Sequence, residues 1–232
     1  MSWNTHAEGS HLLGCLLKNT VHVFDIEKGA VLHNFVCNNG LDIIWSGSNK
    51  NVIYSITCEG YLLRKDIREP DTGQFGEDYQ QSLASKNSQI EISNNFIFVG
   101  NQEGHYNIFD LRTKNRIQHF TLQTDNFKNA VSEKDNKKGK LETLETLVNI
   151  PLFAVETENS GNKFNFCSKY SVDFLMKKLD LSQEEDKSTV NFIQTRHVDN
   201  ILDFKFHPTL PILYSSGLGL DVTNCKEPIT YI

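Results

Sequence analysis

Apolar and polar residues alternate along most of the chain, and a period of two predicts β-strands rather than helices. In the stretch TVHVFDI (20–26), Val21, Val23 and Asp25 fall on one face of such a strand. The stretch HYNIFDL (105–111) has the same alternation. Each run begins after a turn signal and continues through a second turn into another strand, so a strand–turn–strand unit recurs along the chain.

Three aspartates close the recurring strands and set the length of the repeat. Asp25 and Asp66 are 41 residues apart, and Asp66 and Asp110 are 44 residues apart. A period of about 40–45 residues, made of short strands with little helix, is the signature of β-propeller blades. One blade cannot bury both of its faces, so blades stack around a central axis. The predicted fold is all-β, a β-propeller of four-stranded antiparallel blades.

The strand pattern divides one domain, residues 1–232, into four blades and the opening of a fifth. The first blade shows three strands, and its opening strand is missing or degenerate. The second ends in a polar loop, about 68 to 87, that hides or replaces its fourth strand. The third and fourth blades each show four strands. The predicted blades cover residues 10–36, 41–66, 88–122, 150–195 and 196–217.

The blades resemble those of the WD-repeat family. The stretch HVDNILDFKFHP (197–208), followed by ILYSSG (212–217), is similar to the first half of a family blade, which opens on His and ends in small residues. The stretches VFD, RKD and IFD are similar to the last half, with Phe, Lys and Phe where the family prefers Trp. The resemblance marks six structural repeat positions: Asp25, Asp66, Asp110, His197, Ser215 and Ser216.

These six positions are interpreted as structural. Aspartates at turns generally accept hydrogen bonds from backbone N–H groups, and the three in this chain recur too regularly to form a catalytic pair. The family resemblance implies that His197 forms hydrogen bonds within its blade.

The predicted ring is incomplete. WD-repeat proteins mostly have seven blades, so the resemblance implies that about two are absent, and four to five blades leave an unpaired edge. We expect a truncated propeller, the alternative being a ring that another chain completes. The open ends are expected to expose Leu12, Leu16, Phe204 and Phe206. Expressed alone, the chain is expected to be oligomeric or aggregation-prone and to unfold with low cooperativity.

A charged stretch at 124–149 separates the third and fourth predicted blades. Its mixed charge and few aromatic residues predict a mobile surface insertion, the preferred site of limited proteolysis. Leu141, Leu144 and Val148 are spaced for a short helix.

Charge and cysteine content narrow the function classes. The net charge is −6, which argues against broad nucleic-acid binding. Five scattered cysteines without a CxxC pair indicate reduced, mostly buried thiols, and neither a secretory signal nor an apolar run of membrane length is present. We expect a cytoplasmic or nuclear protein, or one present in both compartments, that does not bind membranes.

No motif for catalysis, cofactor binding or metal binding stands out. The eight histidines show no HxH or HxxxH pair, and YSSG (214–217) lacks the frame of a nucleophile elbow. GLGL (217–220) lacks the lysine and the following helix of a phosphate loop. We therefore predict no catalytic residue, no cofactor and no metal site.

The leading functional hypothesis is a non-catalytic scaffold that presents propeller loops to other proteins in a multiprotein complex. No small-molecule substrate is expected, and nucleic acid is an unlikely partner. The alternative is a WD-repeat hydrolase, an esterase acting on a modified protein side chain. A third hypothesis is recognition of histones or other peptides on an acidic face.

Overall fold

Strands account for nearly all of the regular structure in the described part of the chain. A computed structural model describes residues 1–69, 76–79, 88–101, 104–122, 153–158, 162–170, 173–182, 190–193, 201–206 and 212–217. Within these ranges it has eighteen strands and one 3-10 turn at Ala7–Gly9, and no helix there is long and apolar enough to cross a membrane. The prediction of an all-β chain is confirmed.

The first sheet has four antiparallel strands in chain order. They are β1 (Ser2–Trp3), β2 (Leu12–Leu17), β3 (Thr20–Asp25) and β4 (Ala30–Val36). Residues 10–36 supply three strands as predicted, and the opening strand, expected to be missing or degenerate, is the two-residue strand Ser2–Trp3, which pairs with Leu13 and Gly14. Two residues are too few to show an alternating pattern in the sequence.

The second sheet also has four strands in chain order. They are β5 (Gly40–Trp45), β6 (Val52–Thr57), β7 (Leu62–Asp66) and β8 (Gly76–Tyr79). Strand β8 lies inside the predicted polar loop and pairs with Leu62–Arg64. The loop therefore hides the fourth strand rather than replacing it.

The third and fourth sheets repeat this order of strands, and the fifth has two described strands. The third contains β9 (Ser88–Ser93), β10 (Phe96–Asn101), β11 (His105–Asp110) and β12 (Arg116–Thr121). The fourth contains β13 (Phe153–Thr157), β14 (Lys163–Tyr170), β15 (Asp173–Asp180) and β16 (Val190–Ile193). The fifth contains β17 (Ile201–Phe206) and β18 (Leu213–Gly217). The predicted insertion at 124–149 lies outside the described residues.

Consecutive sheets pack face to face through buried apolar side chains. Between the first and second sheets, Val23 and Phe35 contact Trp45 and Ile53. Aromatic rings dominate between the third and fourth sheets, where the ring centroids of Tyr106 and Phe166 are 4.7 Å apart. Such edge-to-face pairs add to the stabilisation that burial alone provides.

Two buried lysines on third strands each lie over an aromatic ring of the preceding sheet. The Nζ of Lys65 lies 5.1 Å from the ring centroid of Phe35, and the Nζ of Lys177 lies 4.8 Å from that of Phe120. Phe35 and Phe120 each lie near the end of the fourth strand of their sheet. The aromatic face stabilises the ammonium group where little water reaches it.

Gly104 is required at the turn between β10 and β11. Its φ is +77°, a conformation that other residues rarely adopt. A Cβ atom at this position would lie 2.7 Å from the carbonyl oxygen of Leu122, so a larger residue would also collide with the backbone.

We predicted that four apolar side chains at the open ends of the predicted ring would be exposed, and this prediction was wrong. Leu12 and Leu16 pack between the first and second sheets, and Phe204 and Phe206 pack against the fourth sheet. Adjacent residues of a strand point to opposite faces, so the alternation alone did not tell which face is covered.

The five sheets stack in the order of the chain. The first strand of each sheet lies beside the first strand of the next, with β5 beside β9, β9 beside β13 and β13 beside β17. Among the described residues these strands belong to separate sheets, and no closed barrel or ring is detected.

Candidate functional site

The three predicted aspartates occupy the same position in three sheets. Asp25, Asp66 and Asp110 are each the last residue of the third strand, and each is buried. The structure adds Asp180, the last residue of β15, which the sequence reasoning missed. The charged stretch at 124–149 had interrupted the period, but the sequence DLS at 180–182 is similar to DLR at 110–112 and to DIR at 66–68.

The backbone after each aspartate is held in the same way. In all four sheets the residue that follows the aspartate donates its N–H to a carbonyl just before the second strand of that sheet. The pairs are Ile26 to His11, Ile67 to Asn51, Leu111 to Asn95 and Leu181 to Asn162, at 2.8–3.0 Å. This repeated bond supports the equivalence of the four aspartates.

Two of the turns hold an arginine in a fork. Asp66 accepts hydrogen bonds from Arg68 at its Nε (2.9 Å) and Nη2 (2.6 Å), and Asp110 accepts the same two bonds from Arg112 at 3.0 and 2.7 Å. The arginine hydrogen bonds hold the pKa of both carboxyl groups below the ordinary value, although burial opposes this. The arginine side chains are 65% and 63% exposed, so their outer N–H groups remain accessible.

The other two turns use different partners. Asp25 pairs with the Nζ of Lys28 at 3.0 Å, and Asp180 accepts hydrogen bonds from the backbone and the side chain of Ser182. Burial works against ionisation of Asp25, but the bonds from Lys28 outweigh it and the pKa of Asp25 is lowered. Only the second and third sheets therefore present a forked guanidinium among the described turns.

An open pocket of about 470 Å³, lined by polar and apolar groups in similar proportion, includes Arg112 in its wall. Its lining includes Ser48 from the second sheet, Asn94 from the third and Asn162 before the fourth. The guanidinium also lies 5.9 Å from the ring centroid of Phe96. This edge thus combines amide and hydroxyl groups with a fixed cation, a composition suited to binding peptide backbone or carboxylate groups.

Polar side chains also join the first strands of consecutive sheets. The Oδ2 of Asp42 accepts from the backbone N–H of Ile90 at 3.2 Å, which links β5 to β9. Gln89 links β9 to β13, because its Oε1 accepts from the N–H of Phe153 (2.9 Å) and its Nε2 donates to the carbonyl of Phe153 (3.1 Å). These side chains take the place of the hydrogen bonds that separate sheets cannot form through their backbones.

One ion pair reaches past a neighbouring sheet. The Nζ of Lys205 on β17 bonds to the Oε1 of Glu91 on β9, although β13 lies between these two strands in the stacking order. Burial raises the pKa of Glu91, while Lys205 acts in the opposite direction. Burial likewise raises the pKa of Asp42. Burial opposes the charge of Lys205, but Glu91 outweighs it, so the pKa of Lys205 is raised.

The fifth sheet begins in the same way as the second. The register shifts after Gly40 in β5 and after Ile201 in β17, and in both strands the aspartate that follows accepts from the next backbone N–H at 2.8 Å. The sequences LDI (41–43) and LDF (202–204) carry this similarity. The sequence reasoning did not single out Asp42, Glu91 or Lys205.

Two of the remaining predicted positions, Ser215 and Ser216, lie in β18. Ser215 pairs with Phe204, and the Oγ of Ser216 lies 3.4 Å from the carbonyl oxygen of Asp203. His197 lies outside the described residues. The structure thus does not bring the six predicted positions into one site, since three lie at separate turns and two lie in the fifth sheet.

Nucleophilic and metal-binding groups are dispersed in the described ranges. The cysteines there are free, and burial raises the pKa of the Cys37 and Cys167 thiols, which disfavours the reactive thiolate. Burial also raises the pKa of Tyr106 to about 12. Over the same residues, no three His, Cys, Asp or Glu side chains are grouped so that they could hold a metal ion.

The sequence of the chain was compared with protein-family models and with curated proteins. No protein-family model matches it, and no curated protein matches its sequence.

Proposed function

We propose that the chain is an incomplete β-propeller of the WD-repeat type, with the first strands of its sheets surrounding a central axis. The side-by-side order of β5, β9, β13 and β17 supports this arrangement. The ion pair between Glu91 and Lys205 supports it further, because a flat stack would hold the third and fifth sheets apart. The recurring turn aspartates are consistent with blades of one kind.

We propose that this propeller is a non-catalytic scaffold that binds other proteins in the cytoplasm or the nucleus. The observation that carries the proposal is the pair of forked arginines, Arg68 and Arg112, at equivalent turns of neighbouring sheets. A buried aspartate fixes each guanidinium, so a partner would lose little conformational entropy by binding it. Arginine is one of the residue types enriched among those that dominate binding at protein interfaces.

The test is quantitative affinity purification of the full chain and of the variant Arg68→Gln/Arg112→Gln. Glutamine keeps a donor for the buried carboxylate but removes the charge. Arg116→Gln is the matched control, since Arg116 is exposed on β12 and its Nη1 donates a long hydrogen bond of 3.4 Å to the Oδ1 of Asn107. We expect partners to be retained by the control and depleted about tenfold or more by the double variant. Equal recovery of partners with all three proteins would contradict the proposal that Arg68 and Arg112 form the binding surface. Failure to recover any reproducible partner would contradict the proposal that the chain is a scaffold.

A hydrolase is the second candidate, and the charged group around Glu91 is the observation that favours it. Asp42, Glu91 and Lys205 come from three different strands, and two of them are carboxyl groups with raised pKa values, as general acids often are. The test is an ester-hydrolysis screen of the chain and of Glu91→Gln. Activity that Glu91→Gln abolishes, with an unchanged fold, would favour the enzyme over the scaffold.

A further inference from the structure

One face of the first sheet is apolar and open to solvent in the described part of the chain. We call it the outer face; on it Trp3, Leu17, Val31 and Val36 are exposed, Leu13 and Phe24 are half-buried, and Cys15 is buried. Two rows of paired residues establish that these side chains share a face: Trp3, Leu13, Phe24 and Val31 in one row, and Leu17, Thr20 and Val36 in the other. The opposite face of the same sheet packs on the second sheet through Leu12, Val21, Val23 and Phe35.

Equivalent faces in the next three sheets are covered. Leu13 on the second strand pairs with Phe24, the residue before the turn aspartate Asp25. In the following sheets the second-strand residues that pair with the residue before the turn aspartate are Ile53, Ile97 and Phe164. All three are fully buried against the preceding sheet. The outer face therefore corresponds to the faces that are buried in the other sheets, but none of the described sheets covers it.

The two tryptophans make the contrast most clearly. Trp3 pairs with Leu13 as Trp45 pairs with Ile53, so the two tryptophans are equivalent. Trp45 is 2% exposed and donates its Nε1–H to the carbonyl of Ser2 in the preceding sheet. Trp3 is 48% exposed. An indole of this kind gains most when another surface covers it.

The paired rows of the outer face contain no Lys, Arg, Asp or Glu. Its central polar residues are His22 and Asn34, whose Nδ1 and Oδ1 atoms are 2.6 Å apart. The chain as a whole has a net charge of −6, so most contacts between two copies would be opposed by repulsion. Two outer faces without carboxylates can meet without that cost.

We propose that the outer face binds the outer face of a second copy of this chain. The two first sheets pack face to face about a two-fold axis, as in a sandwich with about 10 Å between the sheets. The pairing buries Trp3, Leu17 and Val36 of both copies. This inference concerns a surface distinct from the forked arginines and goes beyond the proposed scaffold function.

Sedimentation of charge variants tests the surface. Leu17 is 57% exposed on the outer face, and Ile117 is 43% exposed on β12 of the third sheet, so the two offer matched sites for a lysine. We expect the wild type and Ile117→Lys to form dimers with similar dissociation constants. Leu17→Lys should raise the dissociation constant about tenfold or more, because dimerisation would bury two ammonium groups. A monomeric wild type, or equal effects of the two lysines, would overturn the proposal.

Tryptophan fluorescence tests the occupant. The chain has two tryptophans, so the difference between the spectra of the wild type and Trp3→Phe isolates the emission of Trp3. We expect this emission to shift to shorter wavelength as the protein concentration rises, in step with the mass. Emission that is already at short wavelength in a monomer would mean that the chain's own residues cover the face. Emission at long wavelength at every concentration would mean that nothing does, and either result would overturn the proposal.

Discussion

Carboxylates lie at the turns after the third strands, where Asp66 and Asp110 are buried, and on the first strands, where Asp42 and Glu91 are half-buried, and the two groups have different kinds of partner. At the turns, Asp66 and Asp110 each bind an arginine two residues later in the chain. On the first strands, Asp42 and Glu91 bind groups in other sheets, more than forty residues away. The turns thus repeat a local device, whereas the first strands carry contacts that are specific to one pair of sheets.

In this repeated fold, bonds that stabilise a single sheet therefore lie at the turns, and bonds that join different sheets lie on the first strands. A turn aspartate shapes its own sheet, so its pattern survives in every described four-stranded sheet. The contacts of Gln89, Asp42 and Glu91 decide how sheets sit against one another, and each therefore occurs once. The same reasoning explains why the pKa values of the two groups of carboxyls move in opposite directions: partners from the same turn stabilise the charge, and burial between sheets opposes it.

The largest effect is expected from Gln89→Leu. This change leaves the N–H and carbonyl of Phe153 without their side-chain partner, at a cost of about 1–3 kcal/mol in the free energy of unfolding. Gln118→Leu is the matched control, because the Oε1 of Gln118 is buried without a hydrogen-bond partner. We expect the control to be neutral or stabilising. Denaturant unfolding measures both, and equal losses would mean that the link between β9 and β13 has no special weight.

Removal of the ammonium group that pairs with Glu91 should have the next largest effect on stability. Lys205→Met leaves Glu91 without its partner and should cost about 1–2 kcal/mol near pH 7, a figure reduced because the lysine is 59% exposed. Lys178→Met is the control, since it breaks the more exposed pair between Lys178 and Glu158, and should change stability by less than about 0.5 kcal/mol. Unfolding at fixed pH compares them, and a larger loss in the control would contradict the account.

A turn variant should have a smaller effect. Asp110→Asn keeps the shape of the side chain but weakens both bonds to Arg112, and we expect a loss of about 1 kcal/mol after allowance for screening at the exposed guanidinium. Asp180→Asn should lose less, because Asp180 accepts from the N–H and the hydroxyl of Ser182, which an amide oxygen can still accept. Denaturant unfolding checks this expectation, because the midpoint of Asp110→Asn should lie below that of Asp180→Asn. The reverse order would contradict the claim that the arginine fork stabilises its turn more than the serine does.

The pH dependence should distinguish the two groups by sign. The pKa of Asp110 is lowered in the folded state, so its contribution to stability is present above the ordinary Asp value of about 3.9 and is lost as the pH falls through the folded pKa. The pKa of Glu91 is raised, so its charge costs stability near neutral pH. That cost is relieved as the pH falls towards about 4.3.

Midpoints of thermal unfolding measured between neutral pH and pH near 3 test these signs. Relative to Glu91→Gln, the wild type should gain stability on acidification. Relative to Asp110→Asn, it should lose stability at the acid end of the range. Parallel curves for the wild type and both variants would contradict the assignment of opposite shifts.

Strand alternation and turn residues were sufficient to predict much of the fold. The strands of the third and fourth sheets and the final strands β17 and β18 follow the predicted pattern, because each has enough residues to show a period of two. Strands β1 and β8 were missed or left open, since Ser2–Trp3 is too short and GEDY has no apolar alternation. The choice of the covered face of β2 was wrong, because alternation is symmetric between the two faces.

The candidate site was less predictable than the fold. The aspartates at the turns recur in the sequence, so their equivalence could be expected before any coordinates. The contacts of Glu91 with Lys205 and of Gln89 with Phe153 join residues 114 and 64 positions apart, and each pair occurs once. No local pattern marks such pairs, because only the stacking of the sheets brings them together.

Exchange of the two charges between β9 and β17 tests most directly whether the first strands surround a common space. Lys205→Glu should destabilise the protein, because it adds a fourth carboxylate to Asp42, Glu91 and Asp203, whereas Glu91→Lys should cost less, because Asp42 and Asp203 also attract the second lysine. The double variant Glu91→Lys/Lys205→Glu should recover most of the loss, with a coupling free energy of about 1–2 kcal/mol. Simple addition of the two losses would show that these strands do not face each other, and would contradict the proposed central axis.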